Sequence, residues 1–128
     1  MDIKIIEPDG MFYEGKADFL EFTSVDGEMG VYKNHIPLTT ILEPCVMRIH
    51  KSGVINKAAI LGGFVEIQKE CVTVLAEDAN WPDEIDVERA KASKNRAQER
   101  LERKESSLDV ARAEASLKRA MARINAAK

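Results

Sequence analysis

The chain changes character abruptly near residue 85, and that break rules out one uniform architecture. All seven aromatic residues, from Phe12 to Trp81, precede residue 82. Residues 86–128 hold ten alanines and no glycine, proline or aromatic side chain. Charge divides at the same point, with a formal −8 over residues 1–85 and +5 over residues 86–128. Strands favour aromatic and β-branched residues, while an alanine-rich stretch without breakers favours helix. Two different architectures are joined.

The first part reads as a series of short strands. Ile3-Lys4-Ile5 alternates, and Pro8-Asp9-Gly10 makes a turn because proline presets φ and glycine accepts a positive one. Phe19-Leu20-Glu21-Phe22 runs to a turn at Asp26-Gly27. Val46–His50 alternates and breaks at Ser52-Gly53, after which Val54-Ile55 and Ala58–Ile60 follow. Phe64–Ile67 and Cys71–Leu75 complete the set, with Gly62-Gly63 read as a tight turn or bulge before Phe64. Strands at this spacing predict a β-sandwich or barrel, ending at Trp81-Pro82-Asp83.

The second part reads as two helices. Val87, Ala90, Lys94, Ala97 and Leu101 recur at spacings of three and four, and so do Val110, Ala113, Leu117, Ala120 and Ile124. Ser106–Asp109 interrupts them. Asp86 is placed to cap the first helix, and Ser107 or Asp109 the second. Small apolar stripes on both helices allow close antiparallel packing. A hairpin burying so few large side chains is expected to be marginally stable alone and able to leave its dock. The whole is therefore an α+β chain, with a β domain over residues 1–84 and a helical hairpin over residues 85–128.

Several function classes fall away. The longest apolar run, Ala58–Val65, is far short of the roughly 20 residues that cross a bilayer. The N-terminus has neither a basic region nor a small-residue cleavage site, so no secretory or transit signal is expected there. His35 and His50 lie outside any metal-ligand spacing, and Cys45 and Cys71 read as reduced structural thiols. No nucleophile elbow and no phosphate-cradling glycine loop is present, which argues against an enzyme. The basic tail has no interleaved aromatics and the overall charge is negative, so nucleic acid is not the expected partner. The tail's charge leaves open a solvated face, a phosphate site or an acidic protein partner.

Taken together, Pro8–Gly10, Asp26–Val31, Asn34–Leu38, Gly62–Ile67 and Val72–Ala76 fall in the order and spacing of one family. With Ile85–Ala90 and Leu117–Arg123 in the tail, the chain resembles epsilon subunits of bacterial F-type ATP synthases along nearly its whole length. Cys45 departs from the pattern, standing where the family usually has glycine. The resemblance implies an N-terminal sandwich of two antiparallel five-stranded sheets followed by an antiparallel two-helix hairpin. It implies a non-catalytic rotor subunit in the central stalk, at the cytoplasmic face of the bacterial membrane and without membrane insertion. The sandwich would bind the gamma subunit and rest on the ring of c subunits. Glu28 matches the position that meets the ring, and His35 a position near the gamma contact.

The resemblance also implies regulation by the tail. Ile85, Asp86, Arg89 and Ala90 match the motif of members that bind ATP as a regulatory ligand, and Arg96, Arg119 and Arg123 match their further arginines. Each guanidinium can offer a fork of donors to phosphate oxygens, and Asp86 can accept from the adenine amine. No metal is expected to be required. Binders in the family carry an acidic residue near Asn80, where this chain has an amide. An extended hairpin is expected to inhibit ATP hydrolysis by pressing Arg112, Lys118 and Arg119 against acidic loops of the catalytic beta subunits.

Overall fold

A computed structural model describes residues 1–103 and 106–128 of the 128-residue chain. Eight strands come first: β1 (Asp2–Glu7), β2 (Gly10–Lys16), β3 (Phe19–Ser24), β4 (Gly27–Tyr32), β5 (Leu38–Lys51), β6 (Val54–Ile67), β7 (Cys71–Ala76) and β8 (Ala79–Asn80). A 3₁₀ turn at Pro82–Glu84 leads into helices α1 (Val87–Arg103) and α2 (Ser107–Ala127). The hydrogen-bonded order is β2-β1-β7-β6-β5-β3-β4, with β8 pairing to β6 off this path.

The fold is a β-sandwich with a helical hairpin, and its two layers belong to one continuous ladder rather than to two separate five-stranded sheets. The ladder folds over on itself: Ile3 and Ile5 of β1 share one core with Leu20 and Phe22 of β3, from near its opposite end. Two 14-residue strands, β5 and β6, make this possible. In β5 the core-facing positions are Thr40 and Leu42 at first, then Cys45, Met47 and Ile49. In β6 they are Ala58 and Ile60, then Val65 and Ile67. Both strands switch from even to odd at the same level, near Pro44 and Gly62-Gly63, while their mutual register continues unbroken from Leu42↔Gly63 to Pro44↔Leu61. Side chains alternate with a period of two, so a change of parity turns the opposite face inward. The paired strands therefore bend together from one layer into the other.

Glycine is obligatory at that bend. Gly63 has φ +117°, and a β-carbon there would lie 2.0 Å from the Leu75 carbonyl oxygen. Gly62-Gly63 thus sits inside a long strand and does not separate two short ones. A second departure from the expected pattern is the parallel pairing of β1 with β7, where Ile3 lies opposite Val72 and Ile5 opposite Val74.

The hairpin forms as its periodicity requires. Asp86 Oδ1 accepts from the Arg89 N–H at 3.1 Å and caps α1. The cap of α2 is Ser106, whose Oγ accepts from the Asp109 N–H at 3.1 Å, rather than Ser107 or Asp109. The cap belongs one residue earlier because it must stay extended, and Ser106 has φ −155° while Ser107 is already helical. The fully buried helix positions are all alanine: Ala90 and Ala97 of α1, and Ala113, Ala120, Ala122 and Ala126 of α2. Helix α1 packs on α2, and α2 packs on the outer face of β5 and β6. Ala122 and Ala126 meet Ala59 and Leu61 there, with Val46 and Ile85 alongside.

Candidate functional site

At the base of the hairpin, the start of α1 and the end of α2 converge on strand β8. Asn80, Glu84, Ile85, Asp86, Arg89, Ala90 and Arg123 line a recess of about 240 Å³. Helix geometry places the first group, since the Asp86 cap fixes Arg89 one turn along and leaves Ala90 small enough to be buried. Antiparallel packing returns Arg123 to the same end. Its Nε donates to Asn80 Oδ1 at 3.0 Å, and its guanidinium reaches Asp78 Oδ2 at 3.2 Å. Arg89 is exposed and faces the same recess.

Of the seven tail residues matched to an ATP site, the fold brings together Ile85, Asp86, Arg89, Ala90 and Arg123. Arg96 and Arg119 do not line the recess, and each donates to a serine three residues earlier on its own helix, Ser93 and Ser116. Arg119 lies one helical turn from Arg123, on the same face of α2. Asn80 and Asp78 complete the cluster, and nothing in the local charge pattern marks Asp78 as the partner of Arg123. Pairing of that kind depends on the return of α2 across more than forty residues.

A second surface lies on the sandwich. Met11, Ile6, Leu75, Phe64 and Ile41 occupy consecutive cross-strand positions on β2, β1, β7, β6 and β5. All but the half-buried Ile6 are exposed, so five strands present one continuous apolar row to solvent. Period-two alternation hid this row from the sequence, because its members look like core residues. Contiguous exposed apolar surface marks interaction sites.

The other matched residues are spread over the surface. Glu28 is exposed on β4, opposite Thr23 in the β3–β4 hairpin. That hairpin's turn is fixed by Ser24, whose hydroxyl donates to the Gly27 carbonyl and accepts from the Asp26 N–H. His35 follows β4 and donates from Nδ1 to the Ile36 carbonyl oxygen at 2.8 Å. On α2, Lys118 is bound at 3.1 Å to Glu43 of β5, while Arg112 is exposed.

The sandwich with a docked alanine-rich hairpin defines a class, and comparison with known proteins identifies it. Residues 1–82 match the family model described as ATP synthase, Delta/Epsilon chain, beta-sandwich domain. Residues 83–128 match the long alpha-helix domain of the same chain. The chain belongs to the ATP synthase delta/epsilon chain family. It is 46% identical over 129 residues to the ATP synthase epsilon chain of Brevibacillus brevis, covering 100% of this chain and 98% of that one. It is 41% identical over 102 residues to the epsilon chain of Halalkalibacterium halodurans, covering 80% and 77%. Among solved structures, a chain of the Euglena gracilis mitochondrial ATP synthase, described as OSCP/F1/c-ring, superposes with a TM-score of 0.83 at 20% identity, covering 98% of this chain and 79% of that one. A chain of the Tetrahymena thermophila central stalk and c-ring does so at 0.65 and 11% identity, covering 100% and 96%. Those two likenesses concern the fold.

Proposed function

We propose that this chain is a rotor subunit that couples ion translocation to ATP synthesis, and that its hairpin restrains ATP hydrolysis and senses ATP. The observation that carries the regulatory part is the recess of Asp86, Arg89 and Arg123, which exists only while the hairpin is folded and docked. Two guanidiniums face it, and one oxygen of Asp86 remains for an adenine amine beyond the one that caps α1. At about 240 Å³ the recess falls below the 300–1,000 Å³ that encloses drug-sized ligands. It would hold one end of the nucleotide, with the triphosphate running along α2 towards Arg119. Arg123 must exchange Asp78 and Asn80 for phosphate, so Asp78 competes with the ligand. ATP binding the compact form alone would raise its population. The arginines would balance the phosphate charge without a metal.

Coupling rests on the sandwich. The apolar row from Met11 to Ile41 is the docking face for the gamma subunit, and Glu28 on the β3–β4 hairpin faces the ring of c subunits. In the extended state the freed basic face of α2, with Arg112, Lys118 and Arg119, would meet acidic loops of the catalytic beta subunits.

Calorimetric titration of the full chain with ATP tests the sensing role. Saturable binding is expected, weakened about tenfold or more by Arg89→Ala, because a hydrogen bond to a charged group contributes roughly 1.5–3 kcal/mol. Absence of heat at millimolar ATP, or wild-type affinity in Arg89→Ala, would leave Asp86 as a helix cap and Arg123 as a structural tie.

A further inference from the structure

The apolar row on the sandwich restricts what can cover it. Met11, Ile6, Leu75, Phe64 and Ile41 run across the strands, one on each of five. Four of those strands, β1, β7, β6 and β5, lie inside the ladder with a neighbour on either side. Their backbone donors and acceptors are paired within the sheet, so a partner cannot join the middle of this face as an added strand. It must arrive with its own backbone hydrogen bonds satisfied, as a helix does. Strands about 4.8 Å apart give the row a length of about 19 Å, which about 13 helical residues span. One helical turn rises about 5.4 Å, so side chains three or four residues apart meet successive strands.

The row has a socket and a charged border. Ile6, Phe64 and Leu75 wall a depression of about 380 Å³, and Glu7 and Glu77 are its charged lining residues. On the other side of the row, the next outward positions of β7, β6 and β5 are Thr73, Glu66 and Thr39. Those of β1 and β2 are Lys4 and Glu14, which offset each other at 3.8 Å. Glu7, Glu66 and Glu77 pair with no cation among the described residues. Acids without a partner therefore border the row on both sides. A second copy of the chain would bring the same acids to the contact, and an anionic lipid surface would be repelled. A cationic border on the partner complements them.

We propose that this face takes one amphipathic helix, three to four turns long, laid across the strands with Lys or Arg on both borders of its apolar stripe. One large apolar side chain of that helix sits in the socket between Phe64 and Leu75. Its basic residues meet Glu7 and Glu77 on one side and Glu66 on the other. Naming the gamma subunit as the owner of the helix rests on the function proposed above. The socket supplies the anchor, since a few buried apolar side chains near the centre of an interface carry most of its binding energy. The acids set the partner's orientation and speed its encounter. None of these residues lines the recess at Arg89 and Arg123, so the contact persists whether the hairpin is docked or released.

The test uses the full chain and the purified gamma subunit of the same enzyme. Phe64→Ala with Leu75→Ala should weaken the complex about thirtyfold or more, the loss expected of a central anchor. Both side chains are exposed, so the variant should keep the parent's melting temperature. Glu7→Gln with Glu77→Gln should weaken the complex about three- to tenfold, slow association and flatten its salt dependence. Hydrogen exchange in the complex should slow in one helical segment of gamma that carries Lys or Arg beside its apolar stripe. Absence of any complex would overturn the rotor reading together with this one. A tight complex that tolerates Phe64→Ala with Leu75→Ala would overturn the docking face and leave the rotor reading standing. Unchanged affinity and salt dependence in the glutamine variant would overturn the basic border. Self-association of the isolated chain, lost in the alanine variant, would assign the face to a second copy instead.

Discussion

Arg123 of α2 donates through Nε to Asn80 of β8 at 3.0 Å, so the last turns of the chain are tied to the last strand of the sandwich. The same guanidinium reaches Asp78 at 3.2 Å, and further along α2 Lys118 reaches Glu43. These side chains are partly exposed, and exposed ion pairs contribute only about 0–1 kcal/mol each. The hairpin is therefore docked by one small apolar contact, in which Ala122 and Ala126 meet Ala59 and Leu61, and by a few weak ties. Its release should leave the sandwich undisturbed.

Removing residues 86–128 should accordingly leave a folded β domain. The core from Ile3 to Ala79 contains no helix residue, and Trp81 stays stacked on Phe12 at 4.5 Å. Circular dichroism should retain a β spectrum with a cooperative melt. A non-cooperative melt would show that the helices complete the core.

Gly63→Ala should destabilise the sandwich by at least about 3 kcal/mol, because it combines a strained positive φ with a collision at the Leu75 carbonyl. Gly53→Ala is the control. Gly53 also has positive φ, +79°, but a β-carbon there would meet nothing within 4 Å, so a cost of about 1 kcal/mol is expected. Urea unfolding of the two variants measures the difference.

Arg112→Ala and Lys118→Ala should act differently on the assembled enzyme. Arg112 is exposed, and its loss should relieve restraint of ATP hydrolysis without changing hairpin docking. Lys118→Ala also breaks the tie to Glu43, so it should speed hydrogen exchange in α2 of the isolated chain. Identical exchange in both variants would remove Lys118 from the docking contact.

Cys45 should lend the fold a specific pH dependence. Burial is the largest influence on its thiol and pushes it up, opposed by the Thr23 N–H that donates to Sγ at 3.4 Å. A raised pKa means that the folded state keeps its proton where the unfolded state has lost it. The resulting stability is complete below the unfolded thiol's pKa of about 8.5 and declines as pH rises from there through the higher folded value. Unfolding free energies at pH 7 and pH 10 should fall further apart in the parent than in Cys45→Ala. Thiol reagents should modify the half-buried Cys71 well before Cys45.

Much of this architecture was legible in local pattern. Helix periodicity located both buried stripes, with Ala90, Ala97, Ala113 and Ala120 at their centres, and Asp86 was readable as a cap because an acid precedes the first apolar position. Ile85, Asp86, Arg89 and Ala90 were legible as a group through the family resemblance, not through periodicity. What escaped depends on distant partners. A run of residues cannot reveal that Val54–Ile67 is one strand turning its inward face halfway, since the turn is set by Leu75 passing close to Gly63. Nor can it show that Arg96 stays with Ser93 while Arg123 finds Asn80, because that choice is made by where α2 lands on the sheet.

The narrow seam between α2 and the sheet, where Ala122 and Ala126 meet Ala59 and Leu61, has a thermal consequence. Heat-capacity change follows the apolar area exposed, about 0.45 cal/K/mol for each Å². A contact made by Ala59, Leu61, Ala122 and Ala126, with Val46 and Ile85 beside them, exposes much less of it on release than unfolding the sandwich, which exposes a core of Ile, Leu, Met and Val side chains. The free energy of docking should therefore vary with temperature with less curvature than the stability of the β domain. Release of the hairpin would show in a calorimeter as a small, broad event beneath the unfolding peak.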